Sequence, residues 1–150
     1  MSFSKDVERV EGLRGHYRKG LKALRKVDRA RITIPSSVGS VNIDDALASI
    51  HPHEPRWDYV VGCKKGTMEV LLWIEVHPAN GGHTIHEVES KLSWLLKWVK
   101  PTALGRYRRR FYWVSSGRSS FTVRDSRMRT LAQRGLIFCG KHLAVKKADI

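Results

Sequence analysis

Residues 56–77 constrain the fold more than any other part of the sequence, because two apolar runs there are separated by only four residues. The first run covers residues 56–63, and the second covers residues 68–77 and is followed by Pro78. Runs of this length, rich in β-branched and aromatic residues, are typical of strands. Gly66, between the runs, suits a tight turn. The segment therefore predicts a β-hairpin.

The register of this hairpin decides which side chains share a face. A two-residue turn at residues 65–66 places Asp58 opposite Trp73. Because side chains alternate between the two faces of a strand, Asp58, Trp73 and Glu75 then point the same way. Asp58 and Glu75 become diagonal neighbours, close enough to share one metal ion. A register shift of one residue would separate them.

The rest of the chain supplies further helices and strands. Apolar residues at steps of three and four predict an amphipathic helix over residues 5–29, which three glycines weaken. Strands are expected at residues 31–34, 108–114 and 136–139, helices at 44–50, 84–100 and 126–134, and loops at 36–42 and 115–120. Thr84 is expected to form a capping box with Glu87. The order predicts the α/β class, with a mixed β-sheet flanked by helices in a single domain over residues 1–150.

Charge is distributed unevenly along the sequence. The chain has 28 Lys and Arg against 14 Asp and Glu, a formal net charge of +14. Residues 1–31 carry 10 basic and 4 acidic groups, residues 32–90 carry 3 and 8, and residues 91–150 carry 15 and 2. A basic excess of this size favours a polyanionic partner. Carboxylates repel phosphates unless a divalent cation lies between them, so the acidic segment indicates a metal site, although most of these acids can also cap helices.

Membrane and disulfide-rich classes of protein are not favoured. The longest near-continuous apolar run, residues 70–74, is far shorter than the roughly 20 residues that span a bilayer. The N-terminus lacks the apolar core of a signal peptide, so we expect a cytoplasmic protein with no membrane partner. Cys63 and Cys139 lie among apolar residues without metal-ligand spacing, so buried thiols are expected rather than a disulfide.

The order of elements and two acidic residues resemble the PD-(D/E)XK nuclease superfamily. The core of that family is a helix, a three-stranded meander, a crossover helix and a fourth strand, and the resemblance covers mainly residues 56–115, with the helix at 5–29 as the first helix. The family's aspartate on the second core strand matches Asp58 in the segment WDY, and its glutamate on the third matches Glu75 in the segment WIEVH. The resemblance implies a restriction-endonuclease-like fold and metal-dependent hydrolysis of phosphodiester bonds.

Two positions depart from the family pattern. Trp57 stands where the family name has proline. His77 stands where the family has a lysine that orients the attacking water and stabilises developing negative charge. Because that lysine sometimes lies on the following helix in this superfamily, Lys91 is expected to replace it. The resemblance therefore implies a catalytic set of Asp58, Glu75, His77 and Lys91.

Asp58 and Glu75 are also the residue types that this chemistry needs. Phosphodiester hydrolysis near neutral pH requires an activated water and stabilisation of charge on the phosphate, both of which Mg2+ or Mn2+ supplies. Magnesium prefers oxygen ligands, and one or two carboxylates commonly hold it together with substrate phosphate. We therefore expect Asp58 and Glu75 to bind the metal ion. The alternative is that Asp58 only begins a strand and Glu75 pairs with a basic neighbour.

Arginines on both sides of the acidic segment are expected to contact the phosphates of nucleic acid, with DNA favoured over RNA because the family mostly acts on DNA. They are Arg14, Arg18, Arg106, Arg108, Arg109, Arg110 and Arg118. Such contacts release condensed counterions and make binding depend on salt. Trp94 and Trp98, four residues apart, could stack on bases but are more often a packing stripe or a dimer contact, which leaves a homodimer open.

Other interpretations of the sequence stay open. His77, His83 and His86, with His51 and His53 upstream, could bind zinc, although no standard zinc signature is present. The chain could also be a nucleic-acid-binding protein on the same fold that lacks catalysis, which His77 favours. A third alternative is a basic RNA- or ribosome-associated protein in which the carboxylates are structural. Divalent-ion-dependent cleavage, and the relative affinity for RNA and DNA, separate these functions.

Overall fold

A computed structural model describes residues 2–119 and 125–150 of the chain. Its strands are Arg18–Lys19 (β1), Ile32–Thr33 (β2), Ser37–Asn42 (β3), Tyr59–Lys65 (β4), Met68–His77 (β5), Arg109–Ser115 (β6), Leu136–Phe138 (β7) and Leu143–Ala144 (β8). Its α-helices are Phe3–Val7 (α1), Lys26–Arg29 (α2), Ile43–Leu47 (α3), Gly82–Val99 (α4) and Ser126–Gln133 (α5). The expected loop at 115–120 ends at Ser120, which lies outside the described residues.

The strands form one mixed sheet of six and one small parallel pair. The order in the large sheet is β1-β3-β4-β5-β6-β7, and the small sheet pairs β2 with β8. Strands β3, β4 and β5 form an antiparallel meander, whereas β6 runs parallel to β5 and β7 parallel to β6. Helix α4 connects β5 to β6, and α5 connects β6 to β7. The expected α/β class, a mixed sheet flanked by helices, is confirmed.

The two faces of the large sheet are covered differently. On one face, buried side chains of α1, α3, α4 and α5 pack in one cluster with Val60, Trp73 and Trp113 of the sheet. On the other face, Val61, Leu72 and their neighbours pack against the small β2–β8 sheet. Four helices therefore lie on one face, and this face carries the candidate site.

The hairpin of β4 and β5 has a different register from the expected one. Tyr59 lies opposite Ile74 and Lys65 opposite Met68, so Gly66 and Thr67 are the turn residues. Gly66 has a φ of +63°, and a glycine at the first turn position suits the two-residue turns that match strand twist. The register is shifted by two residues from the expectation, which keeps every side chain on its expected face. Extending it by one residue places Asp58 directly opposite Glu75, not diagonal to it.

The expected helix over residues 5–29 is wrong. Helix α1 ends at Val7, and the chain then makes turns before the short strand β1 and the four-residue helix α2. Gly12 and Gly15 have φ values of +89° and +83°, a left-handed conformation that interrupts a right-handed helix. Leu13 and Leu24 are buried all the same. Apolar spacing thus identified some core residues here, although Val27 is exposed, and it did not identify the backbone conformation.

Two shorter expectations are also corrected. Residues 36–42, expected as a loop, contain β3, which pairs with β4. A Cβ on Gly39 would lie 2.2 Å from the ring of Tyr17, so glycine here allows that ring to lie against the strand. Helix α4 begins at Gly82 and lacks a side-chain cap, because its N-cap residue is Gly81; Thr84 lies inside the helix, where its hydroxyl donates to the Gly81 carbonyl at 2.7 Å. The expected capping box with Glu87 is therefore wrong.

The later elements follow the sequence expectations closely. Helix α4 ends at Val99, before Pro101, and α5 is followed by Gly135, whose φ is +92°. Strand β7 lies within the expected segment. Cys63 is a buried free thiol as expected, whereas the expected burial of Cys139 is wrong, because Cys139 follows the end of β7 and is partly exposed. Among the described residues, no helix is both long enough and apolar enough to cross a membrane.

Candidate active site

Asp58, Glu75 and Lys91 meet on the helix-covered face of the sheet. Asp58 directly precedes β4, Glu75 lies near the end of β5, and Lys91 lies in the middle of α4. The Lys91 ammonium group lies 3.5 Å from Asp58 Oδ1 and forms a close ion pair with Glu75 Oε2. The Glu75 side chain is fully buried, whereas the side chains of Asp58 and Lys91 are 20% and 16% exposed. Both carboxylates therefore face one cation, at a position that solvent reaches only partly.

The backbone holds the two carboxylates in a reciprocal arrangement. The Asp58 N–H donates to Glu75 Oε1 at 3.1 Å, and the Val76 N–H donates to Asp58 Oδ2 at 2.9 Å. Each carboxylate thus has one oxygen fixed by the strand opposite. Its other oxygen, Oδ1 of Asp58 or Oε2 of Glu75, is directed at Lys91. Direct pairing of the two positions in the hairpin is what allows this exchange of hydrogen bonds.

The electrostatics of the site reflect two acids beside one base. Burial, followed by repulsion from the Glu75 carboxylate, raises the pKa of Asp58 to about 8, against the opposing attraction of Lys91. Burial by itself lowers the pKa of Lys91, but the carboxylates of Glu75 and Asp58 outweigh it, so that the pKa of Lys91 is raised overall. Lys91 therefore stays positively charged beside the two carboxylates. Strong pKa perturbation by burial and a specific partner is typical of functional sites.

His77 lies beside this cluster and connects it to a residue that the sequence did not single out for function. Its Nδ1 is 3.4 Å from Glu75 Oε2, and its Nε2 is 3.3 Å from Glu87 Oε2. The His77 side chain is 15% exposed, whereas that of Glu87 is 51% exposed. Glu87 lies one helical turn before Lys91 on α4. The same helix therefore supplies the ammonium group that contacts Glu75 and the carboxylate that contacts His77.

A second ion pair borders the cluster. Arg56 Nε donates to Asp44 Oδ1 at 3.0 Å, and Arg56 Nη1 donates to the His51 carbonyl at 2.6 Å. The Asp44 carboxylate is close enough to contribute to the raised pKa of Asp58. In the sequence, Asp44 is only the first residue of the helix expected over residues 44–50. Nothing in the spacing of these residues indicated that they lie beside the carboxylates.

The donor atoms present fit a small divalent cation. Asp58 Oδ1 and Glu75 Oε2 are oxygens that converge on one positive charge, and Mg2+ is commonly held by two carboxylates, waters and substrate phosphate. Within residues 2–119 and 125–150, no group of three or more His, Cys, Asp and Glu side chains is arranged to hold a metal ion. In the same residues, His51 pairs with Glu54, and His86 lies 4.0 Å from Glu89.

Three of the expected phosphate-binding arginines, Arg106, Arg108 and Arg109, lie at the end of the sheet away from the carboxylates. We call the end of the sheet with Asp58 and Glu75 the carboxylate end. Arg109 pairs with Leu71, four residues before Glu75 in β5, which corresponds to roughly 13 Å along the strand. Arg106 and Arg108 are exposed and lie with Met68 beside the hairpin turn. We call this opposite end, with Arg106, Arg108 and Arg109, the arginine end.

The other four arginines are dispersed. Arg14 is exposed and donates to the Glu8 carbonyl, and Arg18 lies in the edge strand β1. Arg110 lines a cavity of about 690 Å3 on the face opposite to the carboxylates, together with Tyr112. Arg118 is exposed and follows β6 at the carboxylate end. The seven arginines thus occupy several surfaces of the domain.

Trp94 and Trp98 form a stacked pair along α4. Their ring centroids are 5.5 Å apart with an interplanar angle of 7°, and Trp98 also meets Trp73 edge-on at 6.3 Å. Both rings are half-buried against the core. The pair therefore packs as the packing-stripe alternative predicted, because Trp98 contacts Trp73 of β5.

Comparisons with known proteins give no information on this site. No protein-family model, no curated protein and no solved structure matches this chain.

Proposed function

We propose that this protein is a metal-dependent nuclease that hydrolyses phosphodiester bonds, with DNA as the favoured substrate, and that it is a divergent PD-(D/E)XK enzyme. The single observation that carries the proposal is the convergence of Asp58, Glu75 and Lys91 at one point of the sheet. The meander β3-β4-β5, the crossover helix α4 and the parallel strand β6 follow the order of that family's core. The first helix of the family has only the short α1 as a counterpart.

In this proposal, each residue of the cluster has a separate role. Asp58 and Glu75 would hold Mg2+ or Mn2+, which supplies an activated water and charge stabilisation near neutral pH. Their backbone hydrogen bonds keep one oxygen of each carboxylate in place, so the ligand oxygens are preorganised. Lys91 would place its ammonium group beside the phosphate and stabilise developing negative charge. His77, in contact with Glu75, would orient the attacking water or accept a proton from it.

The charge of the chain supports nucleic acid as the substrate and partner. A net charge of +14 raises the local concentration of a polyanion and speeds its association. Because the exposed arginines lie on several surfaces, they would hold the phosphate backbone without reading its sequence. The proposal includes a cytoplasmic location and leaves a homodimer open.

The test is cleavage of plasmid, single-stranded DNA and RNA in Mg2+ or Mn2+ against EDTA. The wild-type protein should cut DNA only with the metal. Asp58→Asn and Glu75→Gln should each lower the cleavage rate by about 100-fold or more, because each removes a ligand charge while keeping the side-chain shape. Asp45→Asn is the matched control, since Asp45 pairs with Arg25 on the surface and both side chains are more than half exposed.

The outcomes separate the competing functions. Cleavage that persists in the Asp58→Asn, Glu75→Gln double variant would rule out this site. A wild-type protein that binds DNA but is inert with every divalent ion would support the alternative of a binding protein without catalysis. In such a protein, Lys91 would be a permanent counter-ion of the carboxylates. Higher affinity for RNA than for DNA, without cleavage, would favour the RNA- or ribosome-associated alternative.

A further inference from the structure

We propose that Lys91 is an internal counter-ion which a divalent cation must displace from the carboxylates, so that its ammonium group competes with the metal. This inference rests on the proposed metal site and adds to it a limit on metal affinity. It concerns the same two oxygens, Asp58 Oδ1 and Glu75 Oε2.

The hydrogen bonds leave these two oxygens as the available ligands. Glu75 Oε1 accepts from the Asp58 N–H, and Asp58 Oδ2 accepts from the Val76 N–H. A cation bridging the carboxylates would therefore use the oxygens that face Lys91. The ammonium group and a bridging ion cannot share one position, because both carry positive charge and need the same contacts.

The surroundings of Lys91 strengthen the competition. The Lys91 side chain is only 16% exposed, and the close Glu75 carboxylate is fully buried, so their attraction is weakly screened by water. The Asp44 carboxylate also acts on Lys91. Metal binding must therefore break an ion pair that solvent does not already weaken, which lowers the apparent affinity for the metal.

The helix offers a place for the displaced ammonium group. Glu87 lies four residues before Lys91 on α4, and a Glu four residues N-terminal to a Lys is the favourable orientation for a helical ion pair. Glu87 is about half exposed, so the Lys91 side chain can extend along the helix surface towards it. Such a movement would also bring the ammonium group closer to solvent and to an approaching phosphate.

The direct test is a calorimetric titration of Mn2+ into the wild-type protein and into Lys91→Met, which keeps most of the side-chain volume without the charge. The Kd for Mn2+ should fall about tenfold or more in Lys91→Met, while cleavage is lost. In EDTA this variant should have a lower Tm than the wild type, because two carboxylates face each other without a counter-ion, and saturating Mn2+ should restore much of the difference. Lys97→Met, an exposed lysine on the same helix, is the matched control and should leave the Kd within about twofold of the wild-type value.

A second measurement uses the wild-type protein and does not depend on a variant that folds. Labelling with an amine-reactive reagent, followed by mass spectrometry, should modify Lys91 at least about tenfold more slowly than Lys97 in EDTA. Saturating Mn2+ should raise the labelling rate of Lys91 and leave that of Lys97 unchanged.

The failures of this inference and of the proposed function are distinguishable. Metal-dependent cleavage by the wild-type protein, together with an unchanged or higher Kd for Mn2+ in Lys91→Met, would overturn the counter-ion inference but not the proposed nuclease function. Lys91 labelling that does not respond to bound Mn2+ would overturn it in the same way. If neither protein binds Mn2+, both the metal site and the inference are overturned.

Discussion

The carboxylate end and the arginine end of the same sheet are built in opposite ways. At the carboxylate end, Asp58, Glu75 and Lys91 are buried or nearly so, and Glu75 has contacts with a backbone N–H, a lysine and a histidine. At the arginine end, Arg106 and Arg108 are exposed. Arg109 is partly buried and lies over the ring of Phe111 at 5.6 Å.

The difference shows where charge costs stability and where it does not. Buried ionised groups are tolerated only with close partners, so each partner at the carboxylate end is needed for the fold as well as for any chemistry. Exposed arginines are solvated and can be used for contact with phosphates at little structural cost. Mutations should therefore affect stability at one end and salt-dependent binding at the other.

The largest effect is expected for Glu75→Ala. The change leaves Lys91 nearly buried with only Asp58 beside it, which should lower the free energy of unfolding by about 3 kcal/mol. Urea unfolding in EDTA, followed by circular dichroism, measures it. Arg108→Ala serves as the control at the other end and should change the same quantity by less than about 0.5 kcal/mol. Equal effects at the two ends would remove the distinction between them.

A smaller effect is expected for Arg56→Ala. Its guanidinium group donates to the Asp44 carboxylate and to the His51 carbonyl, and its side chain is 16% exposed, so the loss should be about 1.5 to 3 kcal/mol of unfolding free energy. The neighbouring surface pair provides the contrast, because Arg25→Ala removes an ion pair in which the Arg25 side chain is 62% exposed. That variant should lose less than about 1 kcal/mol. A similar loss in both variants would show that burial does not set the difference.

The smallest effect on stability is expected for Arg106→Ala with Arg108→Ala. Unfolding free energy should change by less than about 0.5 kcal/mol. DNA affinity should fall for unrelated sequences alike, and the slope of log affinity against log salt should become shallower by about two, because two phosphate contacts are lost. Fluorescence anisotropy over a range of salt concentrations measures the slope. The control is Lys97→Gln with Lys100→Gln, which removes the same charge from another exposed surface. An equal change in the salt slope of this control would show that net charge alone causes the effect.

The sequence predicted the common face of Asp58 and Glu75 better than it predicted the backbone around them. The face shared by Asp58 and Glu75 depends only on the parity of the hairpin, and the actual register differs from the expected one by an even number of residues. The direct pairing depends on which position Gly66 takes in the turn, and residue spacing alone does not decide this. Lys91 was expected only from the family resemblance, in which the lysine sometimes lies on the following helix, and the structure places Lys91 on α4 beside both carboxylates.

The remaining features depend on contacts between distant parts of the chain. The apolar spacing over residues 5–29 is helical, but Gly12 lies against Leu47 and Ile50 with a positive φ, and this packing is invisible to a local pattern. Arg56 and Asp44 are 12 residues apart in the chain and are brought together by the return of β4 beside α3. Local periodicity therefore identified several buried residues, such as Leu13 and Leu24, but not the exposed Val27, and tertiary contacts decided the backbone conformation.

The contacts of α1 have a consequence for how the chain folds during synthesis. The Phe3 N–H donates to Glu69, 66 residues later, and the Tyr107 hydroxyl donates to Asp6 at 2.5 Å, 101 residues away. Contacts at such separations form slowly, and they cannot form before the later residue has left the ribosome. Phe3 and Val7 are fully buried in the finished protein, so the burial of α1 stays incomplete until Glu69 and then Tyr107 have been translated. For this interval the nascent chain presents an apolar segment that its distant partners do not yet cover.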